Sequence, residues 1–100
     1  MDKTTALEHA HQYADKIKEL FNPTAIILYG SYASGTQTEN SDIDIAVVFQ
    51  EFSGDFLQVS ALLYQMTCDI DTSIEPIILD LTKDNSGFAE EIMKYGQKIA

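Results

Sequence analysis

Two short apolar runs, AIILY at 25–29 and DIDIAVVF at 42–49, are separated by only the polar segment GSYASGTQTENS at 30–41. Both runs are rich in branched residues. The first is continuous and bounded by Pro23 and Gly30, so it reads as a strand buried on both faces. A parallel pair needs a crossover of a dozen or more residues, usually built around a helix, and the turn-forming residues between these runs leave no room for a long one. The two strands therefore belong to an antiparallel or mixed sheet, which restricts the fold more than any other feature of the chain.

The remaining segments supply helices for that sheet. Leu7, Ala10, Ala14, Ile17 and Phe21 recur at spacings of three and four, giving a first helix with one apolar stripe. Thr5 and Glu8 read as its capping box, and Asn22-Pro23 as its end. A second helix is expected over 53–68, with Phe56, Val59, Leu63 and Met66 on one side. Residues 73–79 read as a third strand, where Pro76 lacks a ladder donor and so favours an edge or a bulge. A last helix begins near Ser86, with Phe88, Ile92, Tyr95 and Ile99 inward and Gly96 capping or breaking it. The predicted order is α-β-β-α-β-α. It describes an α/β (α+β) chain with a small mixed or antiparallel sheet flanked by helices, as one domain over residues 1–100.

Sixteen acids against six bases give a net charge of −10. Such a surface repels phosphate backbones, so direct nucleic-acid binding is not expected. A phosphorylated ligand would need a metal cation to bring the charges together, and a basic protein is the other natural counterpart. No apolar run is long enough to span a membrane, and the N-terminus lacks a secretory pattern. The single cysteine, Cys68, reads as a buried thiol in a reducing cytoplasm.

Alternation along the second strand puts Asp42, Asp44, Ala46 and Val48 on one side and Ile43, Ile45, Val47 and Phe49 on the other. Carboxylates at i and i+2 stand roughly 6–7 Å apart at the backbone, close enough to share a divalent ion. No Arg or Lys lies between Lys18 and Lys83 to neutralise them. Paired hard oxygens suit Mg2+ or Mn2+ rather than zinc. Directly after the first strand, Gly30 permits a sharp turn, and the N–H groups that follow, with the Ser31 hydroxyl, can hold phosphate oxygens. One strand thus ends in a phosphate cradle and its neighbour begins with a candidate metal site. A nucleoside triphosphate with its metal needs that combination.

Gly30-Ser31, then the ten residues 32–41, then Asp42-Ile43-Asp44, resemble the signature of the polymerase-beta-type nucleotidyltransferase superfamily. The stretches GSYASG and NSDIDIAVV and the short length resemble its minimal nucleotidyltransferase branch, whose members often act as antitoxins beside HEPN-domain toxins. The resemblance implies three carboxylates holding two Mg2+ ions (Mn2+ as a substitute), with ATP as substrate. Asp42 and Asp44 take the first two positions. Asp69, Asp71, Glu75 and Asp80 are candidates for the third. Glu75, an isolated acid inside the third strand in SIEPIIL, is preferred, with Asp71 next. Gly30, Ser31 and Ser41 are the candidate nucleotide-binding residues. Ser34 stands where many members carry an arginine near the phosphates.

The implied activity is transfer of AMP from ATP to a hydroxyl, a tyrosine of a HEPN toxin, by a cytoplasmic, type VII-like antitoxin within a hetero-oligomer. Two alternatives are a non-catalytic acidic antitoxin with a vestigial nucleotide pocket and a small-molecule nucleotidyltransferase completed by a helical partner. Tyr29 and Tyr32 flank the cradle and can stack on a base, although Tyr29 also reads as core. His9 and His11 read as exposed helix residues.

Overall fold

A computed structural model of the protein describes residues 2–84 and 86–100. Helix α1 spans Lys3–Phe21. It is capped by Asp2, whose carboxylate accepts the Thr5 N–H at 2.8 Å. The expected Thr5–Glu8 capping box does not form, because a carboxylate at the positive helix end already satisfies that N–H and starts the helix earlier. Asn22 closes α1 in a left-handed conformation (φ 47°), its N–H donating to the Lys18 carbonyl.

Strand β1 (Ala25–Tyr29) leads into a one-turn helix α2 (Ser31–Ser34), and β2 covers Ile43–Phe49. Helix α3 (Phe56–Thr67) is shorter than its apolar pattern suggested, because Asp55 caps it and accepts the Gln58 N–H at 3.0 Å. Strand β3 (Ile74–Asp80), helix α4 (Phe88–Tyr95) and a two-residue strand β4 (Gln97–Lys98) complete the chain.

The four strands form one mixed sheet in the order β3-β2-β1-β4. Strand β1 runs antiparallel to both β2 and β4, while β3 is parallel to β2. The short link between β1 and β2 thus carries the antiparallel pair, and α3 provides the crossover for the parallel one. Pro76 sits on the edge strand, as its missing N–H requires. The predicted last helix differs from the structure. It stops at Tyr95, and Ile99 continues along β1, donating its N–H to the Ile26 carbonyl at 2.8 Å. Gly96 makes this turn possible, since a β-carbon there would press within 2.9 Å of the Leu28 carbonyl and 2.7 Å of the Ile92 carbonyl.

One sheet face is covered by α1 and α3. Ala10, Tyr13, Ala14, Ile17 and Leu63 pack there against Ile26, Leu28, Ile43, Ile45, Val47 and Ile74. The other face is thinner, with Ala25, Ile27, Ala46 and Val48 under Ile92 of α4. Cys68 lies at the exposed end of α3, not in the core as expected, because the core face of that helix is taken by Leu63 and Thr67. Among the described residues no helix is long and apolar enough to cross a membrane.

The two helices over the first face are tied by one buried polar contact: the Tyr13 hydroxyl donates to the Leu63 carbonyl at 2.7 Å. Burial holds the Tyr13 phenol well above its usual range, so it remains a donor. Tyr13→Phe removes this bond without opening a cavity. The expected loss is about 1 kcal/mol, which lowers Tm by roughly 4–8 °C in a domain of this size; a thermal melt followed by circular dichroism checks it.

Candidate active site

The register of the sheet brings the predicted carboxylates together. Tyr29 of β1 is paired with Asp44 of β2, and Asp44 with Glu75 of β3. Residues on one rung point to the same side, so Tyr29, Asp44 and Glu75 stand in a row on the thinner face. Asp42, two residues before Asp44 and just ahead of β2, lies on that side as well. The flanking Ile43, Ile45 and Ile74 are buried in the opposite face. The apolar alternation that anchors β2 and β3 therefore leaves their acids outward at the sheet end.

Asp71, the other candidate for the third position, is elsewhere. Its carboxylate bonds the His9 ring nitrogen Nδ1 at 2.7 Å and accepts the Ser73 N–H at 2.8 Å. His9 is therefore not a free surface residue but the tie between α1 and the turn before β3. Asp80 is likewise engaged, accepting the Phe52 and Thr82 N–H groups at 3.0 and 2.9 Å.

Gly30 makes the close approach that the cradle requires. It has φ 74° and ψ −150°, a region that essentially only glycine occupies. A β-carbon there would overlap Oδ2 of Asp44. The turn after β1 thus rests directly on the Asp44 carboxylate. The N–H groups of Ala33 and Ser34 are spent on the Gly30 carbonyl, both at 3.1 Å, which closes α2 as a single turn.

A cleft of about 440 Å3 opens beside this turn. Tyr29, Gly30, Ser31 and Ser34 form one wall, and Phe88, Glu91 and Tyr95 of α4 the other. The α4 wall was not legible beforehand, since Phe88 and Tyr95 read as inward core positions. Only Ile92 and Ala89 of that helix are buried, while Phe88 packs edge-on against Tyr29 with ring centroids 6.1 Å apart. Tyr29 lines the cleft, but Tyr32 is fully buried in the core and cannot stack on a ligand. Ser34 bonds Thr36 at 2.8 Å. Ser41 accepts the Thr38 N–H at 2.8 Å, holding the loop that delivers Asp42.

The electrostatics are those of an uncompensated acidic site. Burial, then Asp42, then Glu75 push the Asp44 carboxyl above its ordinary range. Burial, Asp44 and Glu75 also raise the Tyr29 phenol to about 12. The ion pairs among the described residues, His9–Asp71 and Lys83–Asp80, lie away from this row. Hard carboxylate oxygens whose mutual repulsion no side-chain cation relieves fit a divalent ion chemically. As they stand, no three acidic, His or Cys side chains among the described residues are gathered into a ready metal-binding group.

The pattern of the Polymerase beta, Nucleotidyltransferase family matches residues 11–100. The chain belongs to this family. A candidate protein adenylyltransferase of Methanocaldococcus jannaschii is 30% identical over 76 residues, covering 74% of this chain and 76% of the relative. A second from the same organism is 54% identical over 35 residues, a match spanning 35% of each chain. This nucleotidyltransferase chain therefore aligns with only about a third of the length of that relative. Among solved structures, a candidate nucleotidyltransferase from Sulfolobus solfataricus superposes with TM-score 0.70 at 20% identity, over 96% of this chain and 80% of that one, which establishes the fold. A toxin-antitoxin crystallised with AMP-PNP superposes with TM-score 0.65 at 26% identity, over 90% of this chain and 72% of that one.

Because the folded state raises the proton affinity of Asp44, its charge weakens the fold when ionised. The penalty is complete above the raised folded pKa and absent below the ordinary carboxylate pKa, where Asp44 is protonated in both states. Asp44→Asn is thus expected to raise Tm at pH 7 in metal-free buffer, with the gain vanishing as pH falls below the carboxylate range. Melts across that pH interval check both the sign and the window.

Proposed function

We propose that the chain transfers AMP from ATP to a hydroxyl of a partner toxin, a tyrosine of a HEPN-domain protein, and so acts as an antitoxin. The observation that carries this reading is the row Asp44–Glu75, with Asp42 beside it, lying directly under the Gly30 turn and next to an aromatic cleft. In this reading Gly30, Ser31 and Ser41 shape the triphosphate site, and the nucleoside lies toward Tyr29 and α4. Asp42, Asp44 and Glu75 would hold Mg2+, which supplies charge neutralisation for the triphosphate and the departing pyrophosphate. The acceptor oxygen bonds to the α-phosphorus, the bridging bond to the β-phosphate breaks, and pyrophosphate leaves. The acceptor proton passes to a carboxylate of the row. Glu75 or Asp44, the two acids paired on neighbouring strands, is the group nearest the attacking oxygen in this reading.

The name shared by the Methanocaldococcus relatives and the toxin-antitoxin assembly of the AMP-PNP structure support the adenylyl donor and the toxin partner. The net charge of −10 favours a partner that offers basic surface. Among the described residues the cleft is lined by no Arg or Lys, so triphosphate recognition would rest on backbone N–H groups and metal.

The test is to incubate the protein with ATP, Mg2+ and the toxin it pairs with, then read the toxin by mass spectrometry. Addition of AMP to a tyrosine is expected, with Asp42→Ala and Asp44→Ala each slowing it by roughly 10^2–10^4-fold while the complex still forms. Modification at the wild-type rate by either variant contradicts the assignment. Silencing of the toxin without modification would favour an antitoxin that acts by binding alone.

A further inference from the structure

His9 of α1 and Asp71, in the turn before β3, meet across 62 positions of sequence, with the ring nitrogen Nδ1 2.7 Å from Oδ2. The pair is largely covered, His9 being 31% exposed and Asp71 11%. An ionised carboxylate only accepts, so the ring nitrogen is the donor. Burial pushes the Asp71 carboxyl up, but the bonds from His9 and Ser73 outweigh it and hold the group below its ordinary range. The other oxygen of Asp71 accepts the Ser73 N–H at 2.8 Å. Its main chain is engaged too, the N–H donating to the Thr67 carbonyl at 2.8 Å and the carbonyl accepting the Ile74 N–H at 3.1 Å. One residue thus joins α1, the end of α3 and the start of β3.

What this joint holds leads directly to the acids. The Ser73 carbonyl accepts the Ile43 N–H at 2.9 Å, the bond that opens the parallel ladder of β2 and β3. Ile43 stands between Asp42 and Asp44, and Glu75 lies two residues after Ser73. The first rung pairs Ile43 with Ile74 and the next pairs Asp44 with Glu75. No earlier rung holds the two strands in line, so the turn at Ser73 must do so. The repulsion of Asp44 by Asp42 and Glu75 falls at this same end of the ladder.

We infer that His9 is a positioning residue for the acidic row: by bonding Asp71 it fixes the turn at Ser73, and with it the first rung of β2 on β3 and the placing of Asp42 and Asp44 against Glu75. The inference rests on the reading of that row as a metal site. A looser turn lets the three carboxylates move apart under their own repulsion, and a divalent ion must then draw its ligands together at a cost in affinity. His9 is no part of the cleft wall and acts through Asp71 and the backbone alone.

Two measurements test this on His9→Ala, His9→Asn and, as a control, His11→Ala, an exposed histidine of the same helix. Alanine favours helices, so α1 is kept, which circular dichroism checks. Asparagine carries an amide nitrogen at the branch position of Nδ1 and restores the bond. Amide hydrogen exchange of the metal-free protein is expected to quicken at Ser73 and Ile43 in His9→Ala, while the β1–β2 ladder keeps its wild-type protection. A mere loss of stability would speed the whole core together. Mn2+ titration, read by the paramagnetic resonance signal of the free ion, is expected to show about 10-fold weaker affinity in His9→Ala, as for other outer partners of metal ligands. Only the site that Asp42→Asn/Asp44→Asn lacks is counted. His9→Asn and His11→Ala should match the wild type in both measurements. Exchange that quickens uniformly or not at all overturns the inference, as does unchanged Mn2+ affinity in His9→Ala where the wild type binds. A wild type without such a site overturns instead the metal reading of the row, and the role given to His9 falls with it.

Discussion

Strand β2 carries two opposed demands, and the structure depends on how they are reconciled. Its Ile43, Ile45, Val47, Ala46 and Val48 are all buried, so it is the centre of both cores. Asp42 stands just ahead of this strand and Asp44 inside it, and among the described residues neither is paired with a basic side chain. Antiparallel pairing with β1 sets Asp44 beside Tyr29, and parallel pairing with β3 sets it beside Glu75. Slipping either register by one residue would turn a carboxylate into the α1/α3 core and an isoleucine into water. The packing that stabilises the fold is therefore also what fixes the acids in a row, and the repulsion within that row is borne by the core beneath it.

Much of this was legible in the sequence because it rests on local chemistry. The β1–β2 geometry follows from the short polar link, and the placement of β3 at an edge from Pro76. The grouping of Asp42, Asp44 and Glu75 follows from alternation once the strands are known. What escaped depended on contacts distant in sequence. His9 looked like a surface residue because Asp71, its partner, is 62 positions away. Ile99 fitted the helical period of α4, but pairing beside β1 satisfies its backbone and overrides that period. Phe88 and Tyr95 looked like core because nothing local shows that β1 and the Gly30 turn leave a cleft for them to line. Cys68 followed the usual preference of cysteine for burial, yet its helix turned another face inward.

The cleft and the acidic row are joined by a single glycine. Gly30 is the N-cap of α2, the turn after β1 and the lid over Asp44 at once, and no other residue has room for all three. This accounts for a site so economical that a chain of 100 residues can present it.

The most direct test of the central claim is a thermal melt of the isolated protein with and without ATP and Mg2+, beside Asp42→Asn/Asp44→Asn. A nucleotide site built by the Gly30 turn and the acidic row predicts stabilisation of the wild type only, dependent on both ligand and metal. At ligand about 100 times its dissociation constant the gain is about 2.7 kcal/mol, several degrees in Tm. Equal stabilisation of the variant, or stabilisation that does not require Mg2+, would contradict the account.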